Sequence, residues 1–203
     1  MKVMRETFFL NRFLTFALLI FSGCGYVLQT SGSRLANEEG IRTVFVSPVK
    51  NQTYQTGVEN LVYNALVKRL SARRQFRLVH RIEESDAVLE GVVLDAAKGI
   101  NGESKASDLN PKGVGSDKIL VAHEYSAKLN CQFSLTRRQT GSGKSALIWS
   151  GAFSRSRLFP ANNQLGALGT TSALINESEF ERALSDLADN IMHDALESMT
   201  GRF

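Results

Sequence analysis

The residue of this chain best suited to covalent chemistry is Cys24, whose thiol ends the stretch Phe21-Ser22-Gly23-Cys24. Small residues such as Ser22 and Gly23 fit the narrow subsites of a signal peptidase, and the thiol can carry a thioether-linked diacylglycerol. The apolar run before it, residues 13–21, is much shorter than the about 20 residues that a membrane span needs. Basic residues precede this run, as at the start of a signal peptide, namely Lys2, Arg5 and Arg12.

This pattern predicts a lipoprotein signal peptide over residues 1–23 and a lipidated N-terminus with a tether over residues 24–40. Two or three acyl chains on Cys24 would hold the protein firmly at a membrane, whereas a single chain is marginal. Gly25 stands where some bacteria place an Asp retention signal, which favours the periplasmic side of the outer membrane. The alternative is an ordinary secretory signal that contains a cysteine by chance. Apart from the covalent lipid, no cofactor is predicted.

The Gly-rich stretch Thr140–Ser145 ends in Gly-Lys-Ser, as a phosphate-binding loop does. The full motif needs a Gly five positions before its Gly-Lys pair, where Arg138 stands, and it needs a helix after it. Because predicted strands flank this stretch on both sides, a basic hairpin turn is the favoured interpretation.

Other catalytic or metal-binding patterns are absent from the sequence. The histidines His80, His123 and His193 have no partners at zinc-ligand spacing. We expect His123 to pack in the core rather than to act as a ligand. Asp108 and Asp117 lie in a long predicted loop, which is a poor base for a preorganised carboxylate pair, and no nucleophile elbow occurs. The sequence therefore predicts neither a metal site nor an enzyme.

The remaining candidates are basic residues in the predicted loops or at their edges. Solvated surface charge is the default interpretation. The alternative is contact with lipid phosphates or sugar carboxylates, since Lys and Arg form charge-assisted hydrogen bonds with such groups. Without the signal peptide the net charge falls from +4 to +2, which does not indicate nucleic-acid binding. The candidates are Lys98, Lys105, Lys112, Lys118, Arg137, Arg138 and Lys144.

Five segments have the composition of strands. In the longest, Ile119–Arg137, apolar and polar residues alternate, which predicts one buried and one wet face. This phase puts Cys131 in the core, which suits an unpaired thiol in an oxidising compartment. The other predicted strands are residues 41–49, 76–80, 87–96 and 146–158, the last with Leu147, Trp149 and Phe153 on one face. Long loops are predicted over residues 97–118 and 159–176.

Two helices are predicted, over residues 56–70 and 178–199, the second opened by a capping box of Ser178 and Glu181. Each helix has one apolar stripe, so both should cover the apolar face of the sheet. The sequence thus predicts a single α/β (α+β) domain over residues 41–203. We expect a two-layer sandwich with a mixed sheet of about four strands, two helices on one face, and a polar face open to a partner.

Several short stretches resemble the LPS-assembly lipoprotein family LptE. The order of the predicted elements also agrees with that family over nearly the whole chain after the signal peptide. The similar stretches are Gly23–Leu28 at the acylated start, Val46–Thr53 and Gly57–Glu59 at a strand, turn and helix entry, Asp86–Gly91 in the next strand, and Glu124-Tyr125 in the longest strand.

The resemblance implies a lipoprotein without catalysis that plugs the outer-membrane barrel LptD, assists its assembly, and binds LPS on its way to the surface. It implies that basic loop residues meet LPS, and Lys118, just before Glu124-Tyr125, is similar to one of them. The family also places a basic residue before the last helix, whereas residues 161–176 contain none. The other candidate residues for LPS are Lys112, Arg137, Arg138 and Lys144.

Two alternatives come from other classes of protein. One is a pilotin-like periplasmic lipoprotein that serves as adaptor of a secretion or pilus pore on a similar small fold. The other is a lipid-anchored enzyme, which would need a pocket with convergent polar groups and perturbed pKa values.

Overall fold

The structure, a computed structural model, describes residues 35, 39–73, 75–105, 120–138, 146–162 and 169–201, with backbone only for 169–172. Residues 33–203 form one compact unit. In chain order its elements are β1 (Thr43–Val46), β2 (Lys50–Asn51), α1 (Val58–Ser71), β3 (Arg77–Val79), a 3₁₀ turn (Ile82–Glu84), β4 (Ala87–Lys105), β5 (Leu120–Arg137), β6 (Ala146–Pro160) and α2 (Gly169–Thr200).

The sheet has six strands in the order β3-β1-β4-β5-β6, with β2 paired to β4 beside this path. The prediction of about four strands was therefore too low. One reason is that the single strand expected over residues 41–49 ends at Val46 and resumes as β2 at Lys50. Pro48 lies between these two pieces, and proline has no N–H to donate to a ladder.

Parallel and antiparallel pairing divide the sheet. β1 pairs in parallel with β3 and with β4, and β2 is also parallel to β4. A strand–helix–strand order favours such parallel neighbours. The long strands β4, β5 and β6 form antiparallel ladders. β4 continues to Lys105, so the loop predicted from residue 97 onward is strand in its first part.

The helix α1 begins after a turn that polar side chains fix. Asn51 donates from Nδ2 to the backbone oxygen of Gln55 at 2.8 Å and to the carboxylate of Glu59 at 2.7 Å, and its Oδ1 accepts the Thr53 N–H at 2.8 Å. Gly57, with φ of +86°, takes the left-handed conformation that glycine accepts readily. The buried stripe of α1 matches the predicted one in Val58, Val62, Ala65, Leu66 and Leu70.

The second helix is longer than predicted. It begins at Gly169, so part of the segment predicted as a loop is helical and Ser178 lies inside the helix. The Ser178 hydroxyl donates to the backbone oxygen of Ile175 at 2.9 Å and does not cap a helix start. The predicted apolar stripe is confirmed, and its buried members include Phe180, Leu184, Leu187, Ile191 and Met199.

The core contains buried residues of both helices and one set of alternating residues of the sheet, whose side we call the inner face. In β5 the alternation is confirmed, because Ala127, Leu129, Cys131, Phe133 and Leu135 are all buried. In β6 a register shift opposite Leu135 and Thr136 changes the phase of the first residues. Leu147, predicted on the face of Trp149 and Phe153, is consequently 63% exposed.

Candidate functional site

Two of the predicted basic residues, Arg137 and Arg138, lie together at the C-terminal end of β5. Arg138 donates from Nε to the backbone oxygen of Ser85 at 3.0 Å and from Nη2 to that of Glu83 at 2.5 Å. Its backbone N–H donates to the oxygen of Asp86 at 2.9 Å. Arg138 therefore fixes the chain that enters β4.

Arg137 contacts a different segment. Its Nη2 donates to the backbone oxygen of Glu39 at 2.9 Å and also reaches the Glu39 carboxylate. Both side chains are about two-fifths exposed, and an ion pair of this exposure contributes about 0–1 kcal/mol to stability. Arg137 thus ties the chain before β1 to the end of β5.

Asp86 closes the same end of the sheet. Its carboxylate accepts the backbone N–H of Arg42 at 3.0 Å and that of Thr43 at 2.8 Å. Burial alone would raise the pKa of Asp86, but these two donors, the Thr43 hydroxyl and the charge of Arg42 outweigh it. The pKa of Asp86 is therefore held below its ordinary value.

A cavity of about 310 Å³ lies among these groups. Its carboxylates outnumber its guanidinium groups, so a phosphate that entered it would meet net negative charge. The Ser85 hydroxyl in its wall donates to the backbone oxygen of Ile82 at 2.8 Å and has no base beside it in the hydrogen bonds of the described residues. The groups around the cavity hold the segments before β1 and before β4 against the end of β5, and its lining offers no activated nucleophile. The lining residues are Glu39, Gly40, Ile41, Glu83, Glu84, Ser85, Asp86, Arg137 and Arg138.

The predicted lysines separate into two groups. Lys98, expected in a loop, lies in β4, donates to the Glu177 carboxylate at 2.7 Å, and has its Nζ 5.3 Å from the centre of the Phe180 ring. Lys105 is the last residue of β4. The remaining candidates, Lys112, Lys118 and Lys144, lie outside the described residues, as do Cys24 and the stretch Thr140–Ser145.

The prediction that His123 packs in the core was wrong. A register shift between β4 and β5 falls at His123, since Gly102 pairs with Glu124 and Glu103 with Ala122. The His123 side chain is exposed, and its Nδ1 lies 3.3 Å from the Ser104 hydroxyl. At this end of β5 no burying element covers the inner face in the described part of the chain. Among those residues no group of three metal-ligating side chains comes together, and no helix has the length and apolar content to cross a bilayer.

The thiol of Cys131 lies where the alternation predicts it. Cys131 is 1% exposed and stands opposite Phe153 of β6. Burial raises the pKa of this thiol to about 12. Since the thiolate is the reactive species, Cys131 is a core residue with little nucleophilic character.

Sequence reasoning missed two arginines on the inner face of β6. Arg155 donates to the Asp194 carboxylate at 2.9 and 2.6 Å, and Arg157 reaches that of Asp186, both on α2. The available signal was their phase, because they occupy the same alternating positions as Phe153 further along the strand. Charged residues at such positions indicate that the helix leaves the margin of β6 open to solvent.

The side of the sheet that carries the other alternating residues of β5 and β6 we call the outer face. Its described residues are mostly polar with short side chains. Ser154 donates to the Asn130 side chain at 2.5 Å, and Lys128 pairs with Asp95 at 3.3 Å. This polar character agrees with the predicted wet face. The polar and small residues of the outer face are Ser126, Lys128, Asn130, Gln132, Ser134, Ser150, Ala152, Ser154 and Ser156, and the exposed Leu147 and Leu158 lie on the same face.

Comparison with known proteins gives one family. The family model LptE, described as lipopolysaccharide-assembly, matches residues 41–195, which is most of the chain. No curated protein matches the chain by sequence.

Three solved structures with a similar arrangement have low sequence identity to this chain and TM-scores below 0.5. Rare lipoprotein B from Shewanella oneidensis is 15% identical, with 77% of this chain and 94% of that chain covered and a TM-score of 0.43. The PelC dodecamer from Paraburkholderia phytofirmans is 14% identical, with 80% and 89% covered and a TM-score of 0.43. A lipoprotein from Caulobacter crescentus is 15% identical, with 77% and 93% covered and a TM-score of 0.40.

The family match covers β1 through most of α2, and four of the five short stretches singled out in the sequence lie within it, whereas Gly23–Leu28 lies before it. LptE is a cofactor-free lipoprotein family of the cell envelope. The chain belongs to the LptE family of lipopolysaccharide-assembly lipoproteins.

Proposed function

We propose that this protein is an outer-membrane lipoprotein that plugs the LPS-export barrel LptD, assists its assembly, and helps deliver LPS to the cell surface without catalysing a reaction. The match of the LptE family model over residues 41–195 carries this proposal. The polar outer face supports it, because the interior of a large membrane barrel is polar and water-filled.

In this proposal the domain works as two layers, with α1 and α2 forming the layer on the inner face. Trp149 of β6 donates from Nε1 to the Ser198 hydroxyl of α2 at 3.3 Å, and the rings of Phe159 and Phe180 are 6.3 Å apart. These contacts lie at opposite ends of β6, so α2 follows the strand along its length. The outer face is then the broad surface available to the wall of the barrel.

The proposed anchor is the lipid on Cys24, with residues 1–23 removed, residues 24–40 as tether, and residues 41–203 as the domain on the periplasmic side of the outer membrane. Mass spectrometry of the mature N-terminus tests this arrangement. We expect an acylated Cys24 in the native protein, and a Cys24→Ala variant that remains in the inner membrane or unprocessed. An unmodified, freely diffusing N-terminus would contradict the proposal.

The proposed contacts to LPS are Lys112, Lys118, Lys144, Arg137 and Arg138. The two arginines would have to exchange their present acceptors for an LPS phosphate.

We therefore expect Lys118→Glu to weaken LPS binding about tenfold, since it replaces a charge-assisted hydrogen bond by repulsion. The matched control is Lys50→Glu, the same charge change at an exposed position of β2. Binding of purified LPS to the acylated protein in detergent is the measurement. Equal affinities for the two variants would remove Lys118 from the proposal.

The experiment that tests the function as a whole is purification of the acylated protein from outer membranes. Recovery of an LptD-like barrel in a stable complex, together with loss of surface LPS and misassembled barrel when the protein is depleted, is the expected result. Recovery of a secretin or another pore, with surface LPS intact, would instead favour the adaptor of a secretion or pilus pore.

A further inference from the structure

The last strand, β6, forms one edge of the sheet and is long. It has 15 residues, whereas β3 at the opposite edge has three. Within the described residues, no strand pairs with the outer side of β6. Proteins usually shield such edges with lysines, prolines, bulges or covering segments, because unpaired N–H and C=O groups attract other strands. Between Ser150 and Leu158, β6 has no Lys or Pro, and its register shift lies before this stretch.

The register identifies the backbone groups that face away from β5. The N–H of Ala161 donates to the oxygen of His123 at 3.0 Å, in continuation of the pair Glu124–Pro160. In an antiparallel ladder, alternate residues of a strand bond to one neighbour and the residues between them point to the other side. The odd-numbered residues of β6 therefore bond to β5. The N–H and C=O groups that point to the free edge belong to Ser150, Ala152, Ser154, Ser156 and Leu158.

The side chains along this edge leave room for another strand. Four of these five residues are Ser or Ala, and none is charged. None of their backbone groups takes part in the described hydrogen bonds outside the sheet and helices. On the inner face, β6 is tied to α2 by the Arg155–Asp194 and Arg157–Asp186 ion pairs.

The charges on the inner face indicate what kind of strand fits. Arg155 and Arg157 remain 54% and 50% exposed beside the edge, although each already pairs with an Asp of α2. β6 itself contains no Asp or Glu. Pairing of β6 with a second copy would add arginines and no carboxylate to this ladder, whereas a strand with acidic residues would complement it.

We infer that the free edge of β6 is a docking site for an extended segment of the partner protein, which adds a strand to the sheet. Main-chain hydrogen bonds to the five outward residues would hold this segment, and acidic side chains opposite Arg155 and Arg157 would set its register. The inference rests on the proposed function, since the partner is the barrel protein proposed above.

A proline at residue 154 tests the inference directly. Ser154→Pro removes one outward N–H and places a ring against the incoming strand, while the bonds of β6 to β5 use the neighbouring residues. The matched control is Ser154→Ala, which keeps the N–H. With the full acylated protein and the co-purified barrel, we expect Ser154→Pro to weaken the complex about tenfold or more, and Ser154→Ala to leave it unchanged. Equal recovery of the barrel by both variants would overturn the inference.

A second measurement needs no substitution and covers the case in which Ser154→Pro does not fold. Amide hydrogen exchange of the free acylated protein should be fast at Ala152, Ser154 and Ser156 and slow at Phe153 and Arg155. In the complex with the barrel, the fast amides should become protected at least about tenfold, as ladder amides are. Protection of these amides already in the free protein, or no protection in the complex, would overturn the inference.

Site-specific photo-cross-linking from residue 156 identifies the occupant. A cross-link to the barrel protein supports the inference, whereas a cross-link between two copies of the chain assigns the edge to self-association and overturns it. If the barrel does not co-purify with the native protein at all, the proposed function fails. If the barrel co-purifies while the edge stays unprotected and uncross-linked, only the docking inference fails.

Discussion

The two halves of the long antiparallel sheet are both hydrogen-bonded ladders, but they differ in regularity and in surroundings, because two of the three register shifts between β4 and β5 lie beyond Ala97. In the near half, Ala87–Val93 of β4 pairs with Cys131–Arg137 of β5, and Leu89 and Leu135 are almost fully buried. In the far half, Ala97–Lys105 pairs with Leu120–Lys128, and Ile100 and Leu120 are 58% and 61% exposed. Pairing therefore extends the strands beyond the part of the sheet that has a core.

Alternation determines which face of the sheet a side chain takes, whereas burial depends on what covers that face. The near half carries the parallel strands β1 and β2 beside it, and its buried residues belong to the same core as those of both helices. In the described residues, the end of the far half has no comparable cover. Tyr125 and Cys131 share one face of one strand, yet only Cys131 is fully buried.

The largest difference between the halves should be in the rate at which a cysteine reacts. Cys131 has a pKa of about 12, so at pH 8 its thiolate is about a thousandfold scarcer than that of an ordinary exposed cysteine. A Leu120→Cys substitution in a Cys131→Ser background supplies the far-half comparison. We expect maleimide to label residue 120 at least about a thousandfold faster than Cys131 in the native, acylated protein. Comparable rates without denaturant would show that the near half opens readily.

The next largest difference between the halves should be in the stability lost when an apolar side chain is shortened. Phe133, which is 1% exposed, lies in the near half, and Phe133→Ala should lower the free energy of unfolding by about 3–5 kcal/mol. Leu120→Ala in the far half should change it by about 0.5 kcal/mol or less, because the side chain is already in water. Denaturant unfolding followed by circular dichroism measures both. A large cost at Leu120 would mean that the far half is covered.

The sequence predicted the elements whose signal is local and strong. The helix α1, the alternation of β5 and the burial of Cys131 follow from the spacing of apolar residues. Residues 97–105 were predicted as a loop because Gly99, Asn101 and Gly102 are poor strand formers. They form a strand since β5 continues opposite them, and such long-range pairing is not visible in local composition.

Local sequence signals gave the wrong start for α2 and did not identify the partners of Arg137 and Arg138. Ser178 and Glu181 have the spacing of a capping box, but the helix continues upstream to Gly169, where no cap pattern stands out. Arg137 and Arg138 were predicted in a turn as candidates for anions. Their acceptors, Glu39 and the backbone of Glu83 and Ser85, are distant in sequence, so no spacing rule could have found them.

Two glycines of β4 give a smaller and sharper comparison. A Cβ on Gly91 in the near half would lie 2.9 Å from Cε1 of Phe133 and 3.2 Å from Cγ2 of Val49. Gly91→Ala should therefore destabilise the protein by about 1–3 kcal/mol through overpacking.

The matched substitution in the far half is Gly99→Ala, where the only close atom is the Ser126 hydroxyl oxygen at 3.1 Å. That side chain can rotate away, so we expect a change within about 0.5 kcal/mol. The midpoints of urea unfolding for Gly91→Ala and Gly99→Ala, each compared with that of the native protein, measure the two losses of stability. Equal destabilisation would show that the far half is packed as tightly as the near half.

The smallest expected effect is a pH dependence at the near end of the sheet. The pKa of Asp86 is below its ordinary value of 3.8, so its ionised form stabilises the fold. This contribution is complete above the unfolded-state pKa and is lost as pH falls from about 4 through the lower folded-state value. Because Asp86 is exposed, its replacement by Asn should cost less than about 1 kcal/mol at neutral pH.

The measurement is the free energy of unfolding between pH 2 and 7 for the native protein and for Asp86→Asn. The difference between them should shrink below pH 4, as the native carboxylate takes up a proton and loses its advantage over the amide. Asp95→Asn is the control, since Asp95 pairs with Lys128 on the outer face, where a half-exposed ion pair contributes little. If the difference in unfolding free energy for Asp86→Asn stays constant across this range, the N–H groups of Arg42 and Thr43 stabilise the ionised and the protonated side chain of Asp86 equally. The near end would then be held by its core and by Arg137 and Arg138, and not by the charge of Asp86.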